Sequence, residues 1–467
     1  MRFINRIKSI FTETKAGFFI VPAIIIIFAV IIIKTFFFTQ GVFVSPQTKK
    51  CIDCHIKENI QTAQIEEWKK STHAKAGVGC WECHRAEEGE PDARYDNGFW
   101  ISTIVSPKDC GRCHQQEYEE FSGSHHARAG EILGSQDNFL GEVVEGAGAS
   151  VQGCQSCHGS IVKVLEGGKL DPSGWPNMGI GRLNPDGSKG TCAACHSRHR
   201  FALSVARSPA SCGKCHMGPD HPQKEIFDAS KHGINYYVHA HEMNLDKKDW
   251  ILGKDYTQAP NCVTCHMGGS KDEIRTHDVG DRISWNLRPE ISYKQEDWER
   301  KRSAMKRTCL NCHASEWVDN FYVQFDNSVE LYNERYAKPA AEIMKRLRQR
   351  GALTETPFDE EIEWVYYELW HHEGRRARHG ASMMSPDYVQ WHGFYEIAKH
   401  FYMKFLPLAK KLGAGDYVDK LLNTPEHRWT KGVKPDNLKF QEEAFKKWQE
   451  MRDELITESK KDGATGI

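Results

Sequence analysis

The clearest hydrophobic pattern in the chain lies near its start. Residues 17–33 form an unbroken apolar run, and Lys34 is followed by Thr35 and three phenylalanines. As a helix, these 22 residues would be about 33 Å long, which matches the roughly 30 Å hydrocarbon core of a bilayer. We predict a transmembrane anchor here. A cleaved signal peptide is the alternative, but its apolar region is usually about 7–15 residues long.

Basic residues before the anchor predict its orientation. Arg2, Arg6, Lys8 and Lys15 stand against one acidic residue, Glu13. By the positive-inside rule, this flank stays in the cytoplasm. We therefore predict a single-pass protein of the cytoplasmic or inner membrane of a bacterium, with the rest of the chain on the periplasmic side.

Helical periodicity dominates the last third of the chain. Stretches rich in Glu, Lys, Arg, Leu and aromatic residues are separated by turn signals at Pro339, Thr356-Pro357, Ser385-Pro386 and Gly413–Gly415. The middle of the chain is instead rich in Gly, Pro, Asp and Asn, and no stretch is convincing as a strand. We predict a mainly α fold with a loop-rich middle. The predicted helices cover residues 328–350, 358–378, 385–412 and 436–458.

The composition limits what this fold can be. The 62 basic and 63 acidic side chains leave a net charge of −1, which gives no basic stripe for nucleic acid. Only 39% of the residues are hydrophobic, and the mean hydropathy is −0.61. The 13 Trp, 15 Tyr and 22 Phe nevertheless argue against disorder. Something besides aliphatic side chains must therefore fill the interior.

The cysteines indicate what fills it. All 16 occur as eight C-x-x-C pairs, and histidine follows each pair at once. This is the attachment signature of c-type haem, whereas neither a disulfide framework nor structural zinc requires that histidine. We predict eight covalently bound haem c groups. The cysteines are Cys51, Cys54, Cys80, Cys83, Cys110, Cys113, Cys154, Cys157, Cys192, Cys195, Cys212, Cys215, Cys262, Cys265, Cys309 and Cys312, and the iron-binding motif histidines are His55, His84, His114, His158, His196, His216, His266 and His313.

The distribution of the motifs suggests three regions. Residues 1–40 are the basic flank and anchor, residues 41–315 bind the eight haems, and residues 316–467 form a helical domain without motifs. We expect the last region to supply distal iron ligands and subunit contacts. The predicted fold class is thus a mainly α multihaem cytochrome c with haem-wrapping loops and a helical C-terminal part.

Fifteen histidines lie outside the motifs, and some should bind the second face of an iron, because electron-transfer haems are usually six-coordinate. Eight bis-histidine haems need eight of them and one open iron leaves seven, so counting does not locate an active site. Four lie within residues 371–392, and we expect at least two of these to be ligands; surface histidines are the alternative. His400 and His427 are predicted to lie on the surface. The predicted distal ligands are His73, His126, His199, His232, His241, His277, His379 and His392.

Four runs in the sequence are distinctive: STHAKAGVGCWECH (71–84), GWPNMGIGRLNPDGSKGTCAACHSRH (174–199), CGKCHMGPDHPQKEIFDASKHG (212–233) and RHGASMMSPDYVQWHGFYE (378–396). Together with eight motifs followed by a helical part, they resemble the octahaem cytochromes of the hydroxylamine oxidoreductase family. The resemblance covers roughly residues 50–430. It does not cover the anchor, because the best-known members are soluble and exported.

The resemblance implies a mainly helical homotrimer in which seven haems are bis-histidine relays and the fourth has an open iron face. Here the fourth haem belongs to Cys154, Cys157 and His158. The Asp-His pair beside the open iron corresponds to Asp220 and His221, a pair suited to proton transfer. Without the resemblance, the simpler interpretation is a turn in which His221 ligates another haem.

A tyrosine is the third catalytic candidate that the resemblance implies. In the oxidising members, a tyrosine of a neighbouring subunit is bonded covalently to the catalytic haem, and members without this bond are suited to reduction. Tyr388, within SPDYVQWHG, is the residue that we nominate. The alternative is a packed aromatic residue at the start of a helix.

Two functions are compatible with these features. The first is an enzyme that acts on hydroxylamine, hydrazine or nitrite at the open haem. The second is a non-catalytic relay between a membrane quinol-oxidising partner and periplasmic acceptors. Membrane attachment beside a quinol-oxidising protein suits electrons that flow in, so reduction is at least as plausible as oxidation. No C-x-x-C-K motif occurs, unlike in octahaem nitrite or tetrathionate reductases.

Overall fold

The computed structural model describes residues 44–432, residue 443, residues 445–454 and residues 456–457. Helices dominate these residues, with two short antiparallel hairpins among them. The predicted mainly α fold is therefore confirmed. Within the same ranges, no helix is both long enough and apolar enough to cross a membrane. The anchor predicted at residues 17–38 lies outside them.

Contacts divide the chain into two compact units, each built from two stretches of sequence. The first unit joins the residues up to Tyr118 with Gly159–Ala206, and the second joins Glu119–His158 with the residues from Arg207 onward. Each unit contains four of the eight C-x-x-C-H motifs. The sequence analysis divides the chain at residue 315 by which residues bind haem, not by which residues pack together. That division stays a prediction.

The first unit consists of short helices joined by loops. Pro46 begins the first helix, and the Ser45 hydroxyl caps it by accepting a hydrogen bond from the Thr48 amide. The hairpin, which the sequence analysis missed, turns at Asn97 and Gly98, whose φ values of 46° and 96° suit a two-residue turn. The elements are the helices Pro46–Lys57, Thr62–Lys69, Thr72–Lys75, Cys80–His84 and Pro107–Gly111, the strands Ala93–Asp96 and Phe99–Ser102, and the 3-10 turns Glu166–Gly168 and Cys192–Ala194.

The second unit begins with similar short helices around its motifs. Asn261 and Thr264 form a reciprocal cap on the motif helix Cys262–His266, because each side-chain oxygen accepts the other's amide at 3.0–3.1 Å. The chain passes from the first unit to the second within two helices, Gln115–Gly123 and Leu203–Arg207. The other helices and strands before residue 315 are the helices Gln136–Phe139, Ala147–Gln152, Cys154–His158, Pro209–Gly213, Gln223–Ala229, Lys231–His239 and Trp298–Cys309 and the strands Trp285–Asn286 and Tyr293–Lys294. This part of the unit also contains the 3-10 turns Ala129–Gly134 and Ala240–Glu242 and the π-helical turn Leu140–Gly146.

A long helical run passes through Pro339, so the break predicted there is wrong. The helix Ser315–Tyr332 continues through the π-helical turn Asn333–Ala337 into the helix Lys338–Gln349. Proline breaks a regular α-helix because it lacks an N–H and clashes with the carbonyl four residues back. A π-helical turn already shifts that hydrogen-bond ladder by one residue, so Pro339 is accommodated immediately after it.

The other predicted helix breaks are confirmed. Helical structure stops before residues 356–357 and again between Ser382 and Pro386, and Gly413 leaves the helical conformation with a φ of 100°. The described residues of the helix predicted at 436–458 are helical. The remaining segments are Glu361–Tyr367, Glu368–Glu373, Gly374–Ser382, Pro386–Val389, Gln390–Tyr395, Glu396–His400, Phe401–Phe405, Leu406–Ala409, Lys410–Ala414, Gly415–Leu421 and Arg428–Lys431.

The largest hydrophobic core of the described residues lies among these C-terminal helices. Ile343, Leu347, Phe401 and Phe405 are fully buried there. His427, predicted to lie on the surface, is also buried, and the Tyr402 hydroxyl hydrogen-bonds to its Nδ1 at 2.7 Å. His400 is not a surface residue either.

His400 contacts Glu373 through Nδ1, and four-fifths of its side chain is covered. Both surface predictions were wrong because each histidine turns Nδ1 toward a partner on another segment, His400 toward Glu373 and His427 toward Tyr402. The largest core thus lies within the predicted helical domain, and the clusters nearer the motifs are smaller.

Candidate functional site

The C-x-x-C-H motif forms a single helical turn where the structure has it as a helix. The segments Cys80–His84, Cys154–His158 and Cys262–His266 are each five-residue helices. Residues three and four apart lie on one face of a helix, so both thiols and the histidine of a motif can meet one group. No cysteine of the described chain is in a disulfide. The motifs are therefore free to bind haem.

The spacing of histidine pairs tests whether the chain fits such groups. A metal–imidazole nitrogen bond is about 2 Å long, so two axial imidazoles on one iron have ring centres about 6 Å apart. In the first unit, His73 lies 6.1 Å from the motif histidine His114, and His199 lies 6.4 Å from His84. Both distances leave room for an iron between the rings.

The second unit has the same spacing at two further motifs. His126 lies 6.0 Å from His216, and His232 lies 6.1 Å from His313, measured between ring centres. His221 also lies 5.8 Å from His216. Four motif histidines thus have a second histidine at the iron-binding distance, and one of them has two.

Cysteines of different motifs adjoin one another in a definite order. In the first unit, Cys51 interacts with Cys80 and Cys83 with Cys110, and the Cys110 thiol hydrogen-bonds with Cys192. The first, second, third and fifth attachment points therefore form one series.

The second unit has a corresponding series. Cys157 hydrogen-bonds with Cys215, Cys212 hydrogen-bonds with Cys262, and Cys265 interacts with Cys309. The fourth attachment point is thus followed by the sixth, the seventh and the eighth. Such adjacency is what an electron relay requires.

The motif histidines show which ring nitrogen remains for iron. His84 Nδ1 lies 2.9 Å from the Ser102 carbonyl oxygen, and His158 Nδ1 lies 3.3 Å from that of Ala129. An Nδ1–H that donates to a backbone carbonyl fixes the tautomer and leaves Nε2 as the metal ligand. The second and fourth motifs are therefore prepared for ligation through Nε2.

Four further predicted ligands lie in varied surroundings. His379 is partly buried and interacts electrostatically with His216 and His221. His392 is half-exposed, 3.5 Å from Asp387. His241 is largely exposed beside Glu242, and His277 Nδ1 lies 3.7 Å from Glu120. Their roles as ligands stay predictions.

The predicted catalytic pair forms a close contact. His221 Nδ1 lies 2.5 Å from Asp220 Oδ1, and both side chains are mostly buried. Burial opposes ionisation of Asp220, but its contact with His221 and the charges of His371 and Arg375 outweigh burial and lower its pKa to about 2. Asp220 is therefore a carboxylate at neutral pH and can hold the imidazole.

Four residues that the sequence analysis did not assign extend this pair. Arg375 Nη1 lies 3.4 Å from Asp220 Oδ2 and 2.9 Å from His371 Nε2. His371 Nε2 also lies 2.8 Å from Asp137 Oδ1, and the Tyr367 hydroxyl donates to that carboxylate. We call this set of six residues, Asp137, Asp220, His221, Tyr367, His371 and Arg375, the Asp220 cluster.

Burial shapes the protonation states of the cluster. It opposes ionisation of Asp137, but the His371 hydrogen bond and charge, with Tyr367 and Arg375, lower the pKa of Asp137 overall. Burial also lowers the pKa of His371, although Asp137 partly offsets this. Burial raises the pKa of Tyr367, and Asp137 raises it further. At neutral pH the cluster thus combines two carboxylates, a guanidinium, a neutral tyrosine and two imidazoles.

The Asp220 cluster lies close to the fourth motif. Apart from its burial and backbone hydrogen bond, His158 is influenced by the charges of His221, Asp137 and Asp220. Tyr388, the third predicted catalytic residue, has different neighbours: its ring lies 5.4 Å from His392, and Glu225 is the charge that acts on it most. Contacts within this chain therefore unite two of the three predicted catalytic residues.

Comparisons with known proteins agree with the motif chemistry. Residues 185–358 match the family described as "Seven times multi-haem cytochrome CxxCH", and residues 39–85 and 109–174 match "Cytochrome c554 and c-prime". The chain is a multihaem cytochrome c. Its haems are covalently bound through C-x-x-C-H motifs, as the sequence predicts.

One curated relative matches half of this cytochrome. The cytochrome is 28% identical, over 271 residues and 50% of its length, to a probable nitrite reductase-hydroxylamine oxidoreductase fusion protein of Kuenenia stuttgartiensis. The cytochrome spans only 27% of that protein.

Two solved structures share the fold. A hypothetical multiheme protein has 26% identity and a TM-score of 0.71, covering 81% of this chain and 98% of its own. The reducing HAO-like protein complex of Kuenenia stuttgartiensis has 18% identity and a TM-score of 0.58, covering 81% and 87%. The latter likeness concerns the fold alone.

Proposed function

We propose that this cytochrome is an octahaem oxidoreductase for small nitrogen compounds, namely hydroxylamine, nitrite or hydrazine. Seven haems relay electrons, and substrate binds at the fourth haem, held by Cys154, Cys157 and His158. When bound there, a haem would supply coordination of the substrate nitrogen and exchange of electrons. The observation that carries the proposal is the Asp220 cluster, whose charges act on His158. The similarity to the fusion protein supports the substrate class.

The histidine pairs support specific distal ligands. We assign His199 to the second haem, His73 to the third, His126 to the sixth and His232 to the eighth. The first, fifth and seventh haems then take three of the four remaining candidates, which are His241, His277, His379 and His392.

The sixth haem has two candidates, because His126 and His221 both lie about 6 Å from His216. One iron accepts only one of them. We choose His126, since Asp220 holds His221 Nδ1 at 2.5 Å and joins it to the charges around the fourth motif. His221 is then available for proton transfer.

The Asp220 side chain performs the positioning in this scheme. As a carboxylate at neutral pH, it lies 2.5 Å from His221 Nδ1 and holds that edge of the imidazole. The second ring nitrogen can then exchange protons with substrate. Every reduction or oxidation of a nitrogen–oxygen bond moves protons with electrons, so such a pair is needed beside the iron.

The adjacency of the attachment points supports an electron route. Electrons of the second unit travel along the fourth, sixth, seventh and eighth haems. We propose that they enter from a membrane quinol-oxidising partner or a periplasmic cytochrome, because the predicted anchor holds the haem region at the membrane. Flow toward the fourth haem makes reduction of nitrite or hydroxylamine the favoured direction. We further propose a homotrimer.

A relay without catalysis is the second candidate. The histidine pairs at iron-binding distance favour it, because bis-histidine haems serve electron transfer alone. The two functions differ in one property, which is whether any haem keeps an open, high-spin iron.

Spectroscopy and turnover of the purified holoprotein decide between them. Haem content per chain, measured by the pyridine haemochrome method, should be eight. Electron paramagnetic resonance should show one high-spin ferric haem beside low-spin ones, and reduced methyl viologen should be oxidised on addition of hydroxylamine or nitrite. Eight low-spin haems without turnover would leave only the relay.

A further inference from the structure

His371 has the features of a working imidazole rather than an iron ligand. It is 4% exposed, and its Nε2 lies 2.8 Å from Asp137 Oδ1 and 3.1 Å from the Tyr367 hydroxyl. Its Nδ1 is buried without a hydrogen-bond partner among the described residues. A buried polar nitrogen without a partner is costly. Nδ1 is thus the ring nitrogen that Asp137, Tyr367 and Arg375 leave free for an outside group.

The Asp137–His371 pair repeats the arrangement of Asp220–His221. In both, a carboxylate oxygen lies 2.5–2.8 Å from one ring nitrogen, which is Nδ1 in His221 and Nε2 in His371. Arg375 joins the pairs, because its Nη1 approaches His371 Nε2 at 2.9 Å and Asp220 Oδ2 at 3.4 Å. The two pairs therefore belong to one site.

Besides His371 and Asp220, two further groups contact the Arg375 side chain. Its Nε donates to the Arg288 carbonyl oxygen at 2.9 Å, and its guanidinium lies 5.1 Å from the Trp370 ring. The side chain is mostly buried. A guanidinium held in this way keeps His371 in place relative to Asp220 and offsets part of the charge of the two carboxylates.

We propose that His371, oriented by Asp137, is a second proton donor at the substrate site, and that Arg375 is a positioning residue that couples it to Asp220–His221. This inference rests on the proposed function. In hydroxylamine reduction, two electrons and two protons break the N–O bond and yield ammonia and water. The electrons come through the relay from an external reductant. One proton goes to the departing oxygen from His371, and the other goes to nitrogen from His221.

The groups that face His371 favour rapid release of its proton. Asp137 and Asp220 attract the proton, whereas Arg375 repels it and burial disfavours the charged ring. Tyr367 and His372 complete the surroundings, and both rings contact His371. An imidazole that holds its extra proton weakly is a strong acid when loaded and returns to the neutral form after transfer.

A purely structural role is the competing explanation, because the pair also ties Asp137 to the helical run of Tyr367. The chain offers a matched control. His400 forms an imidazole–carboxylate contact with Glu373 in the same helical part, but neither residue belongs to the Asp220 cluster. His400→Gln removes such a contact without touching the site.

The experiment compares His371→Gln, Asp137→Asn and His400→Gln with the wild-type holoprotein. Hydroxylamine reduction by reduced methyl viologen gives kcat and KM, and its solvent deuterium isotope effect reports proton transfer. Optical titration with nitrite measures ligand binding to the ferric protein, and thermal unfolding measures stability.

We expect His371→Gln and Asp137→Asn to lower kcat by about tenfold or more, since general acid catalysis usually contributes about 100-fold or more. KM and the nitrite Kd should stay within about twofold, and the isotope effect should increase. His400→Gln should retain kcat within about twofold. If the His371→Gln variant loses haem, the test rests on the comparison of Asp137→Asn with His400→Gln.

Two results would overturn the inference, and they are distinguishable. If the wild type turns over hydroxylamine but the two cluster variants match His400→Gln in kcat and isotope effect, the pair is structural and the proposed function stands. If the wild type turns over neither nitrite nor hydroxylamine, the proposed function fails and the inference fails with it.

Discussion

His84 and His199 face each other with their ring centres 6.4 Å apart and their planes 30° apart. They are separated by 115 positions in the sequence. Only His84 belongs to a C-x-x-C-H motif, and its Nδ1 is held by the Ser102 carbonyl at 2.9 Å. The arrangement is what an iron between two imidazoles would require.

Removal of a distal ligand should change one haem and spare the rest. His199→Ala should convert the second haem from low-spin to high-spin, because water or an empty position gives a weaker field than imidazole. Electron paramagnetic resonance should show one additional high-spin ferric haem per chain. His239→Ala, at a histidine beside Glu242, is the matched control and should leave the spectrum unchanged. An unchanged spectrum of His199→Ala would refute the assignment.

The sixth haem allows a sharper comparison of two histidines. His126→Ala should raise the high-spin content by one haem per chain, whereas His221→Ala should leave it unchanged and lower hydroxylamine turnover at least tenfold. Both lie about 6 Å from His216, so proximity alone would predict the same result. The reverse spectroscopic outcome would make His221 the iron ligand.

Asp220 should make stability depend on pH in a definite direction. Its pKa is about 2 in the folded protein, against an ordinary value of 3.8. A carboxyl whose pKa is lower in the folded state stabilises that state at pH values above its pKa in the unfolded chain. For Asp220 this contribution is about 2 kcal/mol, and it is lost as the pH falls from about 4 to about 2. Asp220→Asn should therefore be less stable than the wild type at neutral pH, and the difference should shrink across that interval. Urea unfolding at several pH values measures it; a constant difference would contradict the assignment.

Tyr388 provides a test of the direction of catalysis. Within the chain, the Tyr388 ring contacts His392. Its backbone packs closely on Gly380, because a Cβ placed on that glycine would lie 2.9 Å from Tyr388 Cβ. For a reducing enzyme we expect Tyr388→Phe to leave the ferrous absorption spectrum unchanged. A red-shifted ferrous band that is present in the wild type and lost in Tyr388→Phe would instead identify a cross-linked haem and favour oxidation. Tyr395→Phe, on the same helical run, is the control.

The haem-attachment chemistry could be predicted from sequence because covalent attachment needs residues that are neighbours in the chain. The distal ligands obey no such rule. His199 and His84 meet only after folding, so counting histidines could neither pair them nor identify the open iron. The helical C-terminal part was predictable from periodicity, but Pro339 was misjudged, since the adjoining π-helical turn depends on packing.

The Asp220 cluster shows the same limit more strongly. Asp220 and His221 are adjacent, and the resemblance pointed to them. Arg375 lies 155 positions from Asp220, and Tyr367 lies 230 positions from Asp137. Arg375 lies within the histidine-rich residues 371–392. An arginine on a charged helix, however, gives no sign in the sequence that its partner is buried.

The interleaved order of the two units affects how the protein is made. The fourth motif is on Glu119–His158, which packs with residues that follow Arg207. During synthesis, this segment emerges before its neighbours, and His371 and Arg375 emerge more than 200 positions later. On the proposed function, a haem attached to this segment would meet His371 and Arg375 only after most of the chain has been made. Assembly order would then keep the proposed substrate haem apart from its second proton donor until the second unit closes.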